Sequence, residues 1–326
     1  MAYGIISDTH CHNWSAFSSV NEDGVNNRLR IILDEIERAA KMVKDRGGKF
    51  LFHAGDLFHV RGSIAPSVFN PTLEAFKRIV ESGVTPVIIC GNHDAEFRHA
   101  NNLGSAVAAF ENLGCIIVNG PQIVTIDEHH DVLCMPWVAD VDAFYASIKK
   151  MVETMGKSRF DLICHVALDG VFSYLAPKSV ADPTKIYMAA GSRLRHIFAG
   201  HLHNHKQWSV DGMSMICSVG AIAQHNWGDV GSKAGFMIVD DREDAGEGIE
   251  FFASHAPEFI EITGEMSEEQ VMLECDGNYV RAVVNMTEGD AKRFREMLSE
   301  AGALGVTMIC HPPIETRADR IEISAT

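Results

Sequence analysis

The sequence is poor in the features that mark secreted, membrane-spanning or thiolate-metal proteins. Its 8 cysteines form no C-x-x-C pair, and Cys11, Cys90 and Cys164 fall inside or beside apolar runs, where a free thiol packs as a small hydrophobe. That argues against disulfides and against a thiolate zinc site. No apolar run approaches the roughly 20 residues that span a bilayer, and the opening MAYGIISDTH lacks the basic start and cleavage site of a secretory signal. The expectation is a cytoplasmic protein with no membrane partner. Positive charge is scarce too: 28 Lys and Arg against 44 Asp and Glu give a formal charge of −16. Non-specific affinity for phosphate backbones comes mainly from Lys and Arg, so a general nucleic-acid coat protein is disfavoured. Any nucleic-acid contact has to use local basic groups, metal ions or a partner. Internal repeats and low-complexity tracts are absent.

What is present is a chain of 326 residues, 46% apolar, long enough for one large domain and a small second one. Short apolar runs recur just before polar, glycine-marked corners: YGIIS before Asp8, FLFHAG before Asp56, PVIIC before GNHD, DLIC before His165 and HIFAG before His201. Such runs read as buried strands. Between the first two, Leu29, Ile32, Leu33, Ile36, Ala40 and Val43 recur at helical spacing, and Gly47 stands as the stop. A second helix is expected in NPTLEAFKRIVESG, with Asn70 as cap, Pro71 in the first helical position and a stripe of Leu73, Phe76 and Val80 ending before Gly83. Further helices are expected near 104–113 and 140–155.

Strand and helix in alternation argue for an α/β core whose strand ends carry the polar corners. After about residue 205 strands dominate, including MSMICSVGAIA and AGFMIVDD, which suggests a second sheet packed on the first. The charged stretch DDREDAGEG (240–248) and the pair Asp211–Gly212 read as hairpin turns. A domain boundary is expected near 258–265, followed by a compact strand, helix, strand unit built from YVRAVVNM, EGDAKRFREMLSEAG and GVTMICH.

The corner residues form a set: Asp8 and His10, Asp56, Asn92 and His93, His165, and His201 with His203. Each ends an expected strand. If those strands lie side by side in one orientation, carboxylate, imidazole and amide oxygen donors from distant segments converge on one pocket. Residues i and i+2 point the same way along a strand, so Asp8 with His10, and His201 with His203, can each present paired ligands. Oxygen and imidazole donors without thiolate suit Mn2+, Fe or Zn2+ in a hydrolytic site.

The ordered set D-x-H, G-D, G-N-H-D, lone His and G-H-x-H resembles the calcineurin-like metallophosphoesterase superfamily. Within it, GDLFHVRG, the segment SVGAIAQHNWGDVGSKAGFMIVD and the tail from APEFIEI through YVRAVVNM to AGALGVTMI are similar to SbcD-type nuclease subunits, which work with an SMC-like ATPase in DNA double-strand-break processing. The resemblance implies a four-layer α/β/β/α sandwich over residues 1–258 and a small C-terminal α+β capping domain over 259–326. It implies two divalent ions, taken as Mn2+: one held by Asp8, His10 and His203, the other by Asn92, His165 and His201, with Asp56 bridging both. Two cations about 3.5–4 Å apart clamp a phosphoryl oxygen and stabilise the charge on the attacking and leaving oxygens. His93 would be the catalytic histidine, protonating the leaving alkoxide, with Asp94 orienting it.

His59 is a candidate for holding the substrate phosphate or aligning the site, and Arg61 for a phosphate contact, although exposed surface positions account for both residues as well. His12, His205 and His225 read as structural residues near the rim, and His129 and His130 as a turn without a role. The expected activity is DNA hydrolysis, exonucleolytic and endonucleolytic, in DNA repair or recombination. A phosphatase or phosphodiesterase for small nucleotides is the alternative. DNA, an SMC-like ATPase and a second copy of the chain are the partners considered. The group commonly continues into a helical segment that binds the ATPase coiled coil, whereas this sequence stops at Thr326 soon after the cap, which weakens the ATPase expectation.

Overall fold

The computed structural model describes residues 1–95, 105–171, 180–210, 215–240, 248–263 and 266–311. The chain divides into two compact units, Met1–Gln224 with Ser232–Ala256, and His225–Gly231 with Pro257–Thr326. The first unit runs β1 (Tyr3–Ile6), α1 (Asn27–Asp45), β2 (Phe50–His53), α2 (Pro66–Glu81), β3 (Thr85–Ile89), a 3-10 helix (Ala106–Leu113), β4 (Ile116–Val118), β5 (Gln122–Asp127), β6 (His130–Met135) and α3 (Val141–Thr154). It continues with β7 (Arg159–His165), β8 (Ala167–Leu168), β9 (Val180–Ala181), α4 (Pro183–Ala190), β10 (Leu194–Gly200), β11 (Lys206–Trp208), β12 (Ile216–Ser218), β13 (Gly235–Val239) and β14 (Ile249–Ala253).

Two six-stranded sheets result, ordered β14-β13-β1-β2-β3-β4 and β11-β12-β10-β7-β6-β5. The inner strands are parallel and covered on both faces, which is why they read as unbroken apolar runs. Alternate residues serve opposite faces. Ile6, Leu51 and Ile88 pack on Leu29, Ile32, Leu33 and Ile36 of α1 and on Phe76 of α2. Ile5, Phe52 and Val87 face Val132, Ile163, Phe198 and Cys217 of the other sheet. Leu162, Cys164 and Ile197 face Phe144 and Ile148 of α3 and Ile186 of α4. These three apolar layers define a four-layer α/β/β/α sandwich. Replacing a buried ring such as Phe52 or Phe198 by Ala costs about 3–5 kcal/mol.

Helix α1 starts where the Asn26 side chain accepts the N–H groups of Arg28 and Leu29, and it stops before Gly47 at φ 73°. Three sequence expectations change. Helix α2 begins at Pro66 rather than at 71: Pro66 takes the first helical position, and Pro71 lies inside the helix, where its missing N–H removes one backbone bond. The strands after 205 do not form the second sheet by themselves. That sheet starts at β5, and β13 and β14 return to the first sheet, with β13 antiparallel to β1. His130 is a buried residue of β6, not a turn residue. The turns expected at 211–212 and within 241–247, and the tail 312–326, lie outside the described residues.

The second unit is β15 (Phe259–Thr263), α5 (Glu268–Cys275), β16 (Tyr279–Asn285), α6 (Glu288–Glu300) and β17 (Gly305–His311). Its three strands are parallel in the order β15-β16-β17, so strands and helices alternate, one strand and one helix more than the expected strand, helix, strand unit. Val280, Ala282, Val284 and Leu298 form its core. Trp227 belongs to this unit, with its ring edge-on to Phe259 at 4.9 Å and the Arg281 guanidinium 4.7 Å from its centroid. Among the described residues no helix is long and apolar enough to cross a membrane.

Candidate metal centre

The corner residues meet because both sheets end at the same rim. Strands β1, β2 and β3 are parallel neighbours, with Ile6 opposite His53 and His53 opposite Ile88. In the second sheet Gly200 pairs with His165. The expected side-by-side arrangement therefore holds within each sheet, and the site forms across the sandwich between them. Pairing continues past the strands: the Asp8 N–H donates to the Gly55 carbonyl and the His10 N–H to the Asp56 carbonyl, each at 3.0 Å.

Asp8, His10, Asp56 and His201 have φ of 48°, 41°, 60° and 89°, a left-handed conformation costing on the order of 1–3 kcal/mol for a non-glycine residue. Backbone bonds such as these hold the strain, and the break in strand alternation brings the side chains to one hollow. Glycine is required beside them. A Cβ on Gly91 would stand 2.2 Å from Asp56 Oδ1, and one on Gly55 2.2 Å from His165 Nδ1.

Two donor groups share the hollow. In one, Asp8, His10 and His203 place a ligand atom each within 4.8 Å of one another; in the other, Asp56, His165 and His201 do so. His10 Nε2 lies 3.2 Å from His203 Nε2. Asn92 Oδ1 lies 3.0 Å from His165 Nε2 and 2.9 Å from His201 Nδ1, which adds the amide oxygen to the second group. Asp56 Oδ2 stands between the groups, 3.7 Å from His10 Nε2 and 3.4 Å from His165 Nε2. The seven positions expected to bind metal are thus brought together in the expected two sets. Buried oxygen and imidazole donors converging from both sides of one carboxylate fit a pair of divalent cations.

Neighbouring groups orient these donors. His165 Nδ1–H donates to the Ala54 carbonyl at 2.7 Å, leaving Nε2 to face Asp56. Asp8 Oδ2 accepts the Ser7 hydroxyl at 2.5 Å and the His201 N–H at 2.9 Å. Burial pushes the Asp8 carboxyl up. Burial also acts to raise Asp56, but His165, with His10 and His93, more than reverses it and holds Asp56 below the usual carboxylate range. Burial would lower His165, yet Asp56 and Asp8 push it up to about 9. Burial, joined by the neighbouring His165, lowers His201 to about 4.

His93 sits beside both groups. Its N–H donates to Asp56 Oδ1 at 2.7 Å, and its Nδ1–H donates to the His59 carbonyl at 2.6 Å, so Nε2 is the nitrogen left to meet a substrate. Its ring is edge-on to His10 at 4.8 Å. Asp94 does not orient His93 as expected. Its buried carboxylate accepts the N–H groups of Asp56 (2.9 Å), Gly91 (2.9 Å) and Phe58 (3.2 Å), and so binds two site loops together. With both carboxylate oxygens taken by backbone N–H groups and His93 Nδ1 taken by the His59 carbonyl, the two side chains have separate partners.

His59 stacks on His93, with centroids 5.7 Å apart, and is lowered to about 4 by burial and by the His12 and His93 rings; with His10 and His93 it forms a third histidine group. Arg61 follows on the same loop, its Nε buried and without a hydrogen-bond partner among the described residues. Three supporting residues carry no sequence signal that marks them: Ser7, Thr9 and His53. The Gly55 N–H donates to His53 Nδ1 at 3.2 Å, His53 Nε2 meets Thr9 Oγ1 at 2.9 Å, and Thr9 donates to the Leu57 carbonyl at 3.1 Å. Burial keeps His53 neutral, lowered to about 3.

Comparison with known proteins bears on this arrangement. Exonuclease subunit 1 of Enterobacteria phage T4 is 24% identical over 216 residues, 64% of this chain and 58% of that protein. The chain thus spans less than two thirds of that relative. Solved structures to which the chain is similar include a dimetal phosphatase from Danio rerio (TM-score 0.43, 10% identity, 73% of this chain and 91% of the other). A second is a putative 5′-nucleotidase from Staphylococcus aureus (TM-score 0.48, 13% identity, 92% and 58%). The sequence profile of the calcineurin-like phosphoesterase family matches residues 1–205, a span that holds every donor of the two groups, from Asp8 to His203. A match over that much of the chain, with the donors gathered as a two-metal site needs them, makes the protein a member of the calcineurin-like phosphoesterase family, a family of metal-dependent hydrolases.

Proposed function

We propose that this phosphoesterase is a Mn2+-dependent DNA nuclease, acting as an exonuclease and as an endonuclease in DNA repair or recombination. The observation that carries the reading is the position of Asp56 Oδ2 between His10 and His165, which joins two donor groups into one site. Asp8, His10 and His203 would hold one ion, Asn92, His165 and His201 the other, and Asp56 both. Two such cations, when bound, bring positive charge to the scissile phosphate and lower the pKa of water.

The chain's own groups supply the rest. As the bond from phosphorus to the leaving sugar oxygen breaks and water, giving up a proton to solvent, bonds to phosphorus, His93 in its doubly protonated form gives its Nε2 proton to the departing oxygen and keeps its Nδ1 proton on the His59 carbonyl. The His59 carbonyl holds His93 Nδ1 and so fixes which nitrogen does this. Arg61, a guanidinium whose buried Nε has no acceptor among the described residues, is suited to a phosphate of the same strand. The resemblance to SbcD-type subunits and the likeness to the phage exonuclease subunit support DNA as the substrate.

The formal charge of −16 favours a second reading, hydrolysis of small nucleotides or phosphate monoesters at the same site. Purified protein with Mn2+ is assayed on end-labelled linear duplex, on single strands and on nitrophenyl phosphate esters, with His93→Ala in parallel. Degradation of DNA that fails in His93→Ala supports the nuclease reading. Intact DNA beside rapid ester hydrolysis supports the second.

A further inference from the structure

Trp14 lies in the polar loop between β1 and α1, outside the donor groups. Its indole packs against the His59 ring, with centroids 4.6 Å apart and planes tilted by 47°. His59 in turn lies nearly parallel to His93, at 18°. The Arg28 guanidinium stands over the indole, 5.3 Å from its centroid, and donates to the carbonyls of Ala16 at 3.3 Å and Gln224 at 3.5 Å. The Trp14 carbonyl accepts Asn26 Nδ2 at 3.0 Å, and Asn26 is the residue that caps α1. The indole is thereby anchored to the start of a helix whose apolar face is part of the core. Arg28 over it, and His59 and His12 packed against it, cover part of the half-buried ring. These contacts within the chain are the route by which it acts on the site.

We infer that Trp14 is a positioning residue: it fixes the plane of the His59 ring and, through the His59 ring and carbonyl, aims Nε2 of His93 at the leaving oxygen. The inference rests on the reading of His93 as proton donor. Proton transfer needs heavy atoms about 2.6–3.2 Å apart. A displacement of about 1 Å costs on the order of 100-fold in rate. The His59 ring packs against Trp14, His93, His10 and His12, and the indole, at 4.6 Å, is the nearest of these walls, so its removal gives the ring room to tilt.

The test uses the full chain loaded with Mn2+ and two substrates: a thymidine dinucleotide, whose alkoxide leaving group needs a proton, and a nitrophenyl ester of thymidine phosphate, whose leaving group does not. In Trp14→Ala, kcat on the dinucleotide is expected to fall by about tenfold or more while KM, metal content and kcat on the ester stay within about threefold, and Trp14→Phe restores most of the loss. If Trp14→Ala does not fold, Trp14→Leu, which keeps bulk and removes the ring, carries the same test. In metal-free protein the ring-proton resonances of His59 are expected to move in the variant as the indole ring current is lost. Equal losses on both substrates, no loss on either, or unmoved His59 resonances overturn the inference. Selective loss in His93→Ala without selective loss in Trp14→Ala overturns only the role of Trp14. Equal losses in His93→Ala overturn the reading of His93 itself.

Discussion

The backbone N–H of His93 donates to Oδ1 of Asp56 at 2.7 Å while Oδ2 of the same carboxylate stands between the two donor groups. One side chain therefore ties the position of the proposed proton donor to the position of both proposed cations. Asp56→Asn keeps the shape and removes the charge. It is expected to lower the number of Mn2+ ions retained after dialysis and to reduce turnover on DNA by about 100-fold or more. Metal analysis and rate measurement on the same sample check it; full metal content with normal turnover would contradict it.

Asp94 holds the loop of Asp56 to that of Gly91 through three backbone N–H groups. Asp94→Asn leaves poorer acceptors for them, and a loss of about 2–4 kcal/mol in stability follows, with weaker Mn2+ binding. Since His93 is held by the His59 carbonyl, the residual activity should keep the ordinary dependence on leaving group. Denaturation curves and rates on alkyl and nitrophenyl leaving groups decide it. A change confined to the alkyl substrate, with unchanged stability, would restore Asp94 as the group that orients His93.

Ser7 donates its hydroxyl to Asp8 Oδ2, a contact behind the proposed ligand rather than at it. Removing such a partner lowers metal affinity by about 10–100-fold. Ser7→Ala is expected to need more Mn2+ for half-maximal activity yet to reach a similar plateau, as a metal titration of activity will show.

Asp161 marks a second polar cluster, buried between the sheets and built without the donor groups. It accepts the Tyr3 hydroxyl at 2.6 Å, His130 Nε2 at 2.6 Å and His196 Nδ1 at 2.8 Å. Burial acts to raise its pKa, but His130 and His196 more than offset that and hold it below the usual carboxylate range. A depressed carboxylate contributes stability that is complete above its unfolded pKa of about 3.9 and fades as pH falls through its folded value. Asp161→Asn should therefore be less stable than the parent by about 3 kcal/mol at pH 7, with the gap closing below about pH 4. Urea midpoints at pH 7 and pH 3 measure it, and a gap that widens in acid would be the wrong sign.

Much of this architecture is legible in the sequence because strands covered on both faces leave unbroken apolar runs, and the polar corners at their ends name the donors in order. Asp8, His10, Asp56, Asn92, His165, His201 and His203 stand out in the sequence as a set. Less legible is what depends on partners distant in the chain. An apolar strand such as β13 carries no mark of which sheet it joins, and His130 looks like a turn residue until Asp161 is placed against it. The sequence points to Asp94 as the group that orients His93, whereas the partner is a backbone carbonyl, which every residue has and no side chain announces. Trp14 meets His59 across a loop, without periodicity to reveal it.

The central claim is that one carboxylate, Asp56, joins two cations in a single site. Electron paramagnetic resonance of the Mn2+-loaded protein tests it most directly. Two ions per chain with the exchange-coupled spectrum of manganese about 3.5–4 Å apart, replaced by an uncoupled signal in Asp56→Asn, is the expected result. A single ion, or two ions that give independent spectra in the parent protein, would contradict it.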